Sequence, residues 1–218
     1  MRGSILAMSL LLLAACARPA PAAAQSVPEL AAFRSIALSD GGHVTVRHGD
    51  RQRVTLLAGE ADIRVDGTQL HIARRRTPDH RERLEVEVVA PTLDALSVAN
   101  GGRLVLAGDF PRQATLAAAV SNGGALDVRA MRAERVTAAV NQGGMIFTRP
   151  ASHLDAAVSH GGAITYWGNA SVSRAVADGG VVQRGRDEEA ERPLEAMMPR
   201  THKLLPVAEA PPVPPLPN

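Results

Sequence analysis

The dipeptide Gly-Gly recurs in one fixed local context along this chain. The first glycines of five copies are separated by 22, 20, 18 and 18 residues, a range that is typical of structural repeats that stack. A sixth copy, Gly41-Gly42, stands apart from this block. Stacked repeats bury their apolar faces only against neighbouring repeats, so this feature constrains the fold more than any other. The ten glycines that we assign to structural turns are Gly101, Gly102, Gly123, Gly124, Gly143, Gly144, Gly161, Gly162, Gly179 and Gly180.

A large aliphatic residue stands on each side of every Gly-Gly pair. In the five main copies the position three residues before the first glycine is valine, and the position three residues after it is leucine, isoleucine or valine; the outlying copy has Leu38 and Val44. Around these positions the sequence alternates with strand periodicity, as in Leu126-Asp127-Val128. The units are too short for a strand plus a crossover helix, which needs about 30 residues. The pattern predicts an all-β fold, a right-handed parallel β-helix (solenoid) of short strands with stacked Gly-Gly turns.

The residue before each Gly-Gly pair is polar. A turn with positive φ costs a residue with a Cβ roughly 1 kcal/mol or more, which explains the glycines. We interpret the preceding residues as a turn ladder, in which stacked polar side chains bond to one another. The alternative is that Gln142, His160 and Asp178 share a cation, but the Asp-containing nonapeptide of calcium-binding β-helices is missing, and we predict no metal site. The ladder residues are Asn100, Asn122, Gln142, His160 and Asp178.

Small residues dominate the two positions before each repeat valine. In a strand these two positions face opposite sides, so one set forms a flat stripe on the outer surface. The stripe serves either as a contact surface for a second chain or as a tightly turned region that needs small residues. The set directly before the valines is Ser97, Ala119, Ala139, Ala157 and Ala175, and the other is Leu96, Ala118, Ala138, Ala156 and Arg174.

The segment from Val44 to Pro91 is β-rich without a visible period. Runs such as Ile63-Arg64-Val65 read as strands, and Asp66-Gly67 is a turn signal between two of them. We predict longer coils or hairpins here, which form a strand-rich N-terminal cap on the stack.

The chain begins with an export signal. Residues 1–15 hold an apolar run too short to span a bilayer, and the run ends in Leu13-Ala14-Ala15-Cys16, which resembles the lipobox of bacterial lipoproteins. Cys16 is the only cysteine, and we predict that it carries the lipid. The alternative is cleavage after Ala24. Residues 16–32 then form a tether, 33–185 the β-helix domain, and 186–218 a Pro-rich tail that we expect to be disordered.

The charge balance argues against a nucleic-acid partner, because the formal net charge is only +2. The basic run Arg74-Arg75-Arg76 is followed by acidic residues without interleaved aromatic side chains. We interpret it as a solvated hairpin loop, with a contact to anionic sugars or lipid headgroups as the alternative.

The order of these signals resembles the putative auto-transporter adhesin head GIN domain family. The family motifs match Asp66-Gly67-Thr68-Gln69-Leu70-His71-Ile72, the glycine turns, and Tyr166-Trp167-Gly168-Asn169-Ala170 before the last turn. Here x-Gly-Gly replaces the usual Ser-Gly-Ser-Gly, and Ala170 replaces a proline. The resemblance covers roughly residues 33–185, implies adhesion and provides no catalytic residues.

The sequence favours a non-enzymatic exported protein with a binding, adhesion or scaffold role. The alternatives are a polysaccharide-acting β-helix enzyme and an envelope sensor or accessory domain. An enzyme of this class needs paired carboxylates or a clustered Arg, Lys and Asp set on one face. Asp127 is the only carboxylate at the outward positions two and four after the first glycine of the five main pairs. Those positions are Arg103, Val105, Ala125, Asp127, Met145, Phe147, Ala163, Thr165, Val181 and Gln183.

We therefore expect no cofactor and no catalytic residue. The expected partners are the membrane, through the N-terminal lipid, and an envelope or surface ligand, and a homo-oligomer is compatible with the stripe. The expected location is the cell envelope, as an outer-membrane lipoprotein, with a periplasmic or secreted protein as the alternative.

Overall fold

A computed structural model describes residues 25–27, 30–75 and 83–197 of the chain. The predicted leader, Cys16, Ala24 and most of the predicted tail lie outside the described residues. The described chain is all-β, as the alternation of apolar residues predicts. Its strands are β1 (Gln25–Ser26), β2 (Ser35–Ser39), β3 (His43–His48), β4 (Arg53–Ala58), β5 (Ala61–Asp66), β6 (Gln69–Arg74), β7 (Glu85–Ala90), β8 (Ala95–Ala99), β9 (Arg103–Ala107), β10 (Gln113–Ser121), β11 (Ala125–Asp127), β12 (Ala133–Asn141), β13 (Met145–Thr148), β14 (His153–Ser159), β15 (Ala163–Tyr166), β16 (Ser171–Val176) and β17 (Val181–Arg184).

The strands form two mixed sheets. Sheet A has the order β1-β4-β7-β3-β9-β11-β13-β15-β17, and sheet B has the order β16-β14-β12-β10-β8-β2-β6-β5. Chain-adjacent strands such as β10 and β11 enter different sheets, so each pair forms one layer with a strand in each sheet. From β8 onward the layers follow chain order, and equivalent repeat positions pair in parallel register, as in Val120↔Val140 and Val140↔Val158.

The aliphatic residues on both sides of the Gly-Gly turns form the core between the sheets. Val98, Val120, Val140 and Val158 are buried on the sheet B side. Their counterparts after the turns, Leu104, Leu126, Ile146 and Ile164, are fully buried on the sheet A side. In the last layer the same register position is Val176, which is 46% exposed because no described layer covers it. The repeat therefore builds continuous apolar columns along the stack.

The N-terminal segment stacks out of chain order. The layer of β2 and β3 lies between the layer of β6 and β7 and the layer of β8 and β9, with parallel pairing on both sides. Strands β4 and β5 run antiparallel to β7 and β6 and form the end layer, and the Asp66-Gly67 turn joins β5 to β6. Strand β1 adds to β4 at the edge of sheet A.

The folded region continues beyond Gly185. A 3-10 turn (Asp187–Glu189) and a short helix α1 (Leu194–Met197) follow β17. Ala190 and Leu194 are buried in a second apolar cluster on the outer face of sheet A, together with Trp167 and Phe147. The expectation that the disordered tail begins at residue 186 is therefore corrected for residues 186–197, because these residues cover aromatic side chains that project out of sheet A.

Candidate functional site

The predicted turn glycines lie at one corner of successive layers. The first glycine of each pair has a positive φ of 77° to 83° at Gly101, Gly123, Gly143, Gly161 and Gly179. The polar residue before it is also left-handed, with φ between 50° and 56° in the same five turns. Asparagine and aspartate tolerate this conformation better than glutamine or histidine does.

The ladder side chains bond along part of the stack. The amide of Asn122 donates to Asn100 Oδ1 (2.9 Å), and Asn100 donates in turn to Asp40 Oδ1 (3.1 Å). His160 Nε2 lies 3.5 Å from Asp178 Oδ2 at the other end of the ladder, with both side chains well exposed. Within the described residues no three His, Cys, Asp or Glu side chains come close enough to hold a metal ion. These contacts support the ladder interpretation, with its bonds limited to neighbouring pairs.

The second glycine of each pair has a different reason to be glycine. In the five main turns its φ is not left-handed, but an added Cβ would meet an aliphatic side chain of the neighbouring layer, which is Leu38 at Gly102 and a valine at the other four. At Gly144 that Cβ would lie 2.2 Å from Val120 Cγ1, and at Gly162 it would lie 2.3 Å from Val140 Cγ1. The second glycine thus lets one layer approach the next, whereas the first sets the backbone turn.

Part of the outer face of sheet A, around β11, β13 and Trp167, is covered by the chain itself. Arg129 Nη2 pairs with Asp127 Oδ2 (2.6 Å), and their side chains are only 11% and 6% exposed. The Arg129 guanidinium also donates to the backbone oxygens of residues 189, 190 and 192. It lies 5.2 Å from the ring centroid of Trp167 and 5.9 Å from that of Phe147. Asp127, the one carboxylate expected on this face, is therefore neutralised beneath the C-terminal segment.

The outer face of sheet B is uncovered in the described part of the chain. The predicted stripe lies here, and Ala119, Ala139, Ala157 and Ala175 are exposed. With Ser97 and the neighbouring positions they line a groove of about 700 Å³ that runs across five layers. In the partner set Leu96, Ala118, Ala138 and Ala156 are buried in the core, whereas Arg174 in the last layer is exposed.

Charged side chains lie near the starts of the sheet B strands, away from the turn side where the groove lies. Glu134 accepts a hydrogen bond from the Ser152 hydroxyl, and Arg112 forms an ion pair with it. These contacts hold the pKa of the Glu134 carboxyl below its ordinary value, with the Ser152 bond as the largest cause. The paired carboxylates of an enzyme would be expected near the glycine turns, whereas these residues lie at the opposite ends of the sheet B strands. Their 18-residue spacing, as between Glu134 and Ser152, is the signal that could have found them.

The basic run lies at the end of β6. Arg74 is the last residue of that strand and Arg75 follows it, while Arg76 and the rest of the predicted loop lie outside the described residues. Among the described helices none is long and apolar enough to cross a membrane.

Comparisons with known proteins point to one family. The model of the family described as "Putative auto-transporter adhesin, head GIN domain" matches residues 32–146, which is more than half of the 218 residues. No curated protein matches the chain.

Several solved structures are similar to this chain. A putative adhesin from Bacteroides fragilis NCTC 9343 has 14% identity and a TM-score of 0.46, over 76% of this chain and 99% of that one. A putative adhesin from Parabacteroides distasonis ATCC 8503 has 14% identity and a TM-score of 0.42, over 75% and 96%. A putative cell adhesion protein from Clostridium sporogenes ATCC 15579 has 9% identity and a TM-score of 0.25, over 74% and 99%.

Proposed function

This chain belongs to the putative auto-transporter adhesin head GIN domain family, and from that premise we propose that it is an exported protein of the cell envelope with a binding or adhesion role. The role requires no catalysis and no cofactor. The observation that carries the proposal is the asymmetry of the two outer faces. The chain's own C-terminal segment covers part of the outer face of sheet A, whereas the described residues leave the small-residue groove of sheet B open.

We propose further that the stack is a right-handed parallel β-helix. Support comes from the parallel, in-register pairing of equivalent repeat positions from β8 to β17 and from the alternation of successive strands between the two sheets. The wall is flat along the stripe, because the small side chains directly before the repeat valines leave few projecting groups there. An extended surface ligand, or a second copy of the chain, can lie against such a wall over several layers.

The proposed attachment is a lipid on Cys16 in the outer membrane, with a periplasmic or secreted form as the alternative. Strand β1 begins at Gln25 and pairs with β4 at the end of sheet A, so the described chain begins at that end of the stack. Surface biotinylation of intact expressing cells, with wild type compared with Cys16→Ser, tests the anchor. Release of the variant into the medium supports it, and identical retention of the two proteins contradicts it.

The binding role is tested by filling the groove. Cells that display the full chain are compared with cells that display Ala139→Arg, and adherence is measured on mucin-coated and on bare polystyrene surfaces. Residue 139 is exposed, so neither alanine nor arginine at this position disturbs the core. We expect the substitution to lower adherence, because the new side chain projects from the groove floor and carries charge.

The matched control is Ala151→Arg, which adds the same side chain at an exposed alanine between β13 and β14, outside the groove lining. Equal display of the three proteins is checked by the biotinylation assay. If wild-type cells adhere no better than cells without the protein, the proposed role on these surfaces is overturned. Equal loss in the two variants would overturn the assignment to the groove.

A further inference from the structure

We propose that the outer face of sheet B also carries an acyl-accepting nucleophile, Ser171, which is activated by His153 and Asp155. Strand β14 begins with His-Leu-Asp, and the two-residue period of a strand places His153 and Asp155 on the same face. The next layer pairs in parallel register, with Ser171 directly beside His153. Residues far apart in the chain are thus brought together by the 18-residue repeat.

The three side chains form a continuous hydrogen-bonded chain. Ser171 Oγ lies 2.7 Å from His153 Nδ1, and His153 Nε2 lies 2.8 Å from Asp155 Oδ1. When Nε2 carries the proton and donates it to the carboxylate, the Nδ1 lone pair faces the serine hydroxyl. A nucleophile within hydrogen-bond reach of a base that a third group orients is the arrangement that activates serine in acyl transfer.

The neighbouring groups support these roles. Arg135 Nη1 lies 3.6 Å from Asp155 Oδ2, so a positive charge stands beside the carboxylate. Ser171 Oγ also lies 3.2 Å from the backbone oxygen of Ser152, which is the more distant of its two acceptors. The His153 side chain is 26% exposed and Ser171 is exposed, so an ester in solution can reach the hydroxyl.

An edge of the backbone supplies one donor for a developing oxyanion. Strand β16 is the last strand of sheet B, and its Ser171 N–H bonds inward to Ser152 O. Because alternate residues of a parallel strand bond to opposite neighbours, the N–H of the next residue, Val172, points to the edge that no described strand covers. One donor is fewer than most acyl-transfer sites use, and each missing donor costs about 10²-fold in rate or more. We therefore expect slow acylation rather than fast turnover.

The chemical step is the transfer of an acyl group from a carboxylic ester. Ser171 Oγ attacks the carbonyl carbon while His153 Nδ1 takes the hydroxyl proton. The bond to the alkoxy oxygen then breaks, and His153 returns the proton to the departing alcohol. Ser171 remains as the ester of the acyl group. The alanine floor of the groove continues along the same face from Ala175, so a short aliphatic acyl chain has apolar surface to lie on. This covalent capture goes beyond the proposed binding role, which does not depend on it.

The test uses the full-length protein and a fluorophosphonate-biotin probe, which forms a covalent adduct with activated serine. We expect wild type to be labelled, with the adduct mapped to Ser171 by peptide mass spectrometry. Ser171→Ala should abolish labelling. The matched control is Ser173→Ala, which removes an exposed serine from the same strand and the same face. It should leave labelling unchanged.

The role of the base is tested separately. His153→Ala should lower the labelling rate by about 10²-fold or more, and added imidazole should restore part of it. A merely structural histidine would not give that rescue. An unlabelled wild type, label that persists in Ser171→Ala, or His153→Ala labelled at the wild-type rate would each overturn the proposal. If binding does not depend on the acylation of Ser171, cells with Ser171→Ala adhere at the wild-type level. The labelling assay and the adherence assay therefore test the nucleophile and the binding role separately.

Discussion

The two glycines of one turn should respond differently to the same substitution. At Gly144 an added methyl group would lie 2.2 Å from Val120 Cγ1 and 3.2 Å from the Gly124 oxygen. Carbon atoms pack at about 3.5–4.0 Å, so either the valine or the layer must move by more than about 1 Å. Overpacking of this kind costs about 1–3 kcal/mol. At Gly143 the space around the added methyl is open, and only the φ of +83° opposes it, at about 1 kcal/mol.

A double-mutant cycle tests whether the clash with the valine is the cause. Val120→Ala alone removes two buried methyl groups and should cost roughly 2 kcal/mol. In Gly144→Ala/Val120→Ala the new methyl group partly refills the space of the lost Cγ1. The combined loss should therefore stay near 2 kcal/mol, well below the sum of the single losses, with a coupling of about 1–2 kcal/mol.

The measurement is urea unfolding followed by the fluorescence of Trp167, the only tryptophan of the chain. The expected order of midpoints is wild type, Gly143→Ala, then Gly144→Ala. A Gly143→Ala protein less stable than Gly144→Ala would refute the separate roles of the glycines. Additive effects in the double variant would show that Val120 is not what excludes a side chain at residue 144.

Four further substitutions probe other contacts. Thr148→Val should raise the free energy of unfolding by about 1 kcal/mol, because the buried Thr148 hydroxyl has no hydrogen-bond partner among the described residues. Arg129→Met should cost roughly 3 kcal/mol, because its buried carboxylate partner is left unpaired, and should shift Trp167 emission to longer wavelength in native buffer. Gln142→Asn should stabilise by a few tenths of a kcal/mol, because asparagine tolerates the φ of 56° better. Arg174→Ala should cause concentration-dependent association in analytical ultracentrifugation. Arg174 lies on the edge strand β16 beside Ala156 of the layer before, and a charge on an edge strand opposes pairing with another chain.

Each of these has a matched control. Thr137→Val changes an exposed threonine and should give no gain, so an equal gain would show that burial is not the reason. Arg132→Met removes an exposed arginine near the same segment and should leave Trp167 emission unchanged. Ser121→Ala, the control for Gln142→Asn, changes a turn-side residue whose φ is not left-handed, and the free energy of unfolding should stay unchanged. Arg184→Ala removes another exposed charge of the last layer, and association equal to that of Arg174→Ala would point to net charge rather than to the edge of sheet B.

The repeat block could be predicted because its signal is local. The spacing of Val120, Val140 and Val158 around the turns fixes which side of each strand faces the core, and the structure pairs these residues in register. The distinct reason for each second glycine could not be predicted, since it depends on how closely two layers approach. The burial of Trp167 beneath residues 187–197 could not be predicted either. That segment is charged and contains a proline, so its sequence has no apolar periodicity that would indicate packing against the sheet.

The candidate site was harder to predict than the fold. The outward positions next to the turns lie on sheet A, where the C-terminal segment covers several of them. The proximity of His153 to Ser171 depends on the parallel register of β14 and β16, which is known only once the stack is assembled. The partners of β2 were equally hidden, because several apolar strands of similar length compete to lie beside it.

The position of the β2–β3 layer has a consequence for how the chain reaches its native state. Both of its neighbours come from later in the sequence, β6–β7 on one side and β8–β9 on the other. In a chain synthesised from its N-terminus, this layer does not have both of its neighbouring layers until the residues up to Ala107 are available. Folding should therefore start from a cooperative nucleus of three layers, whose assembly requires the closure of long loops. Only the later layers can then be added one at a time in chain order.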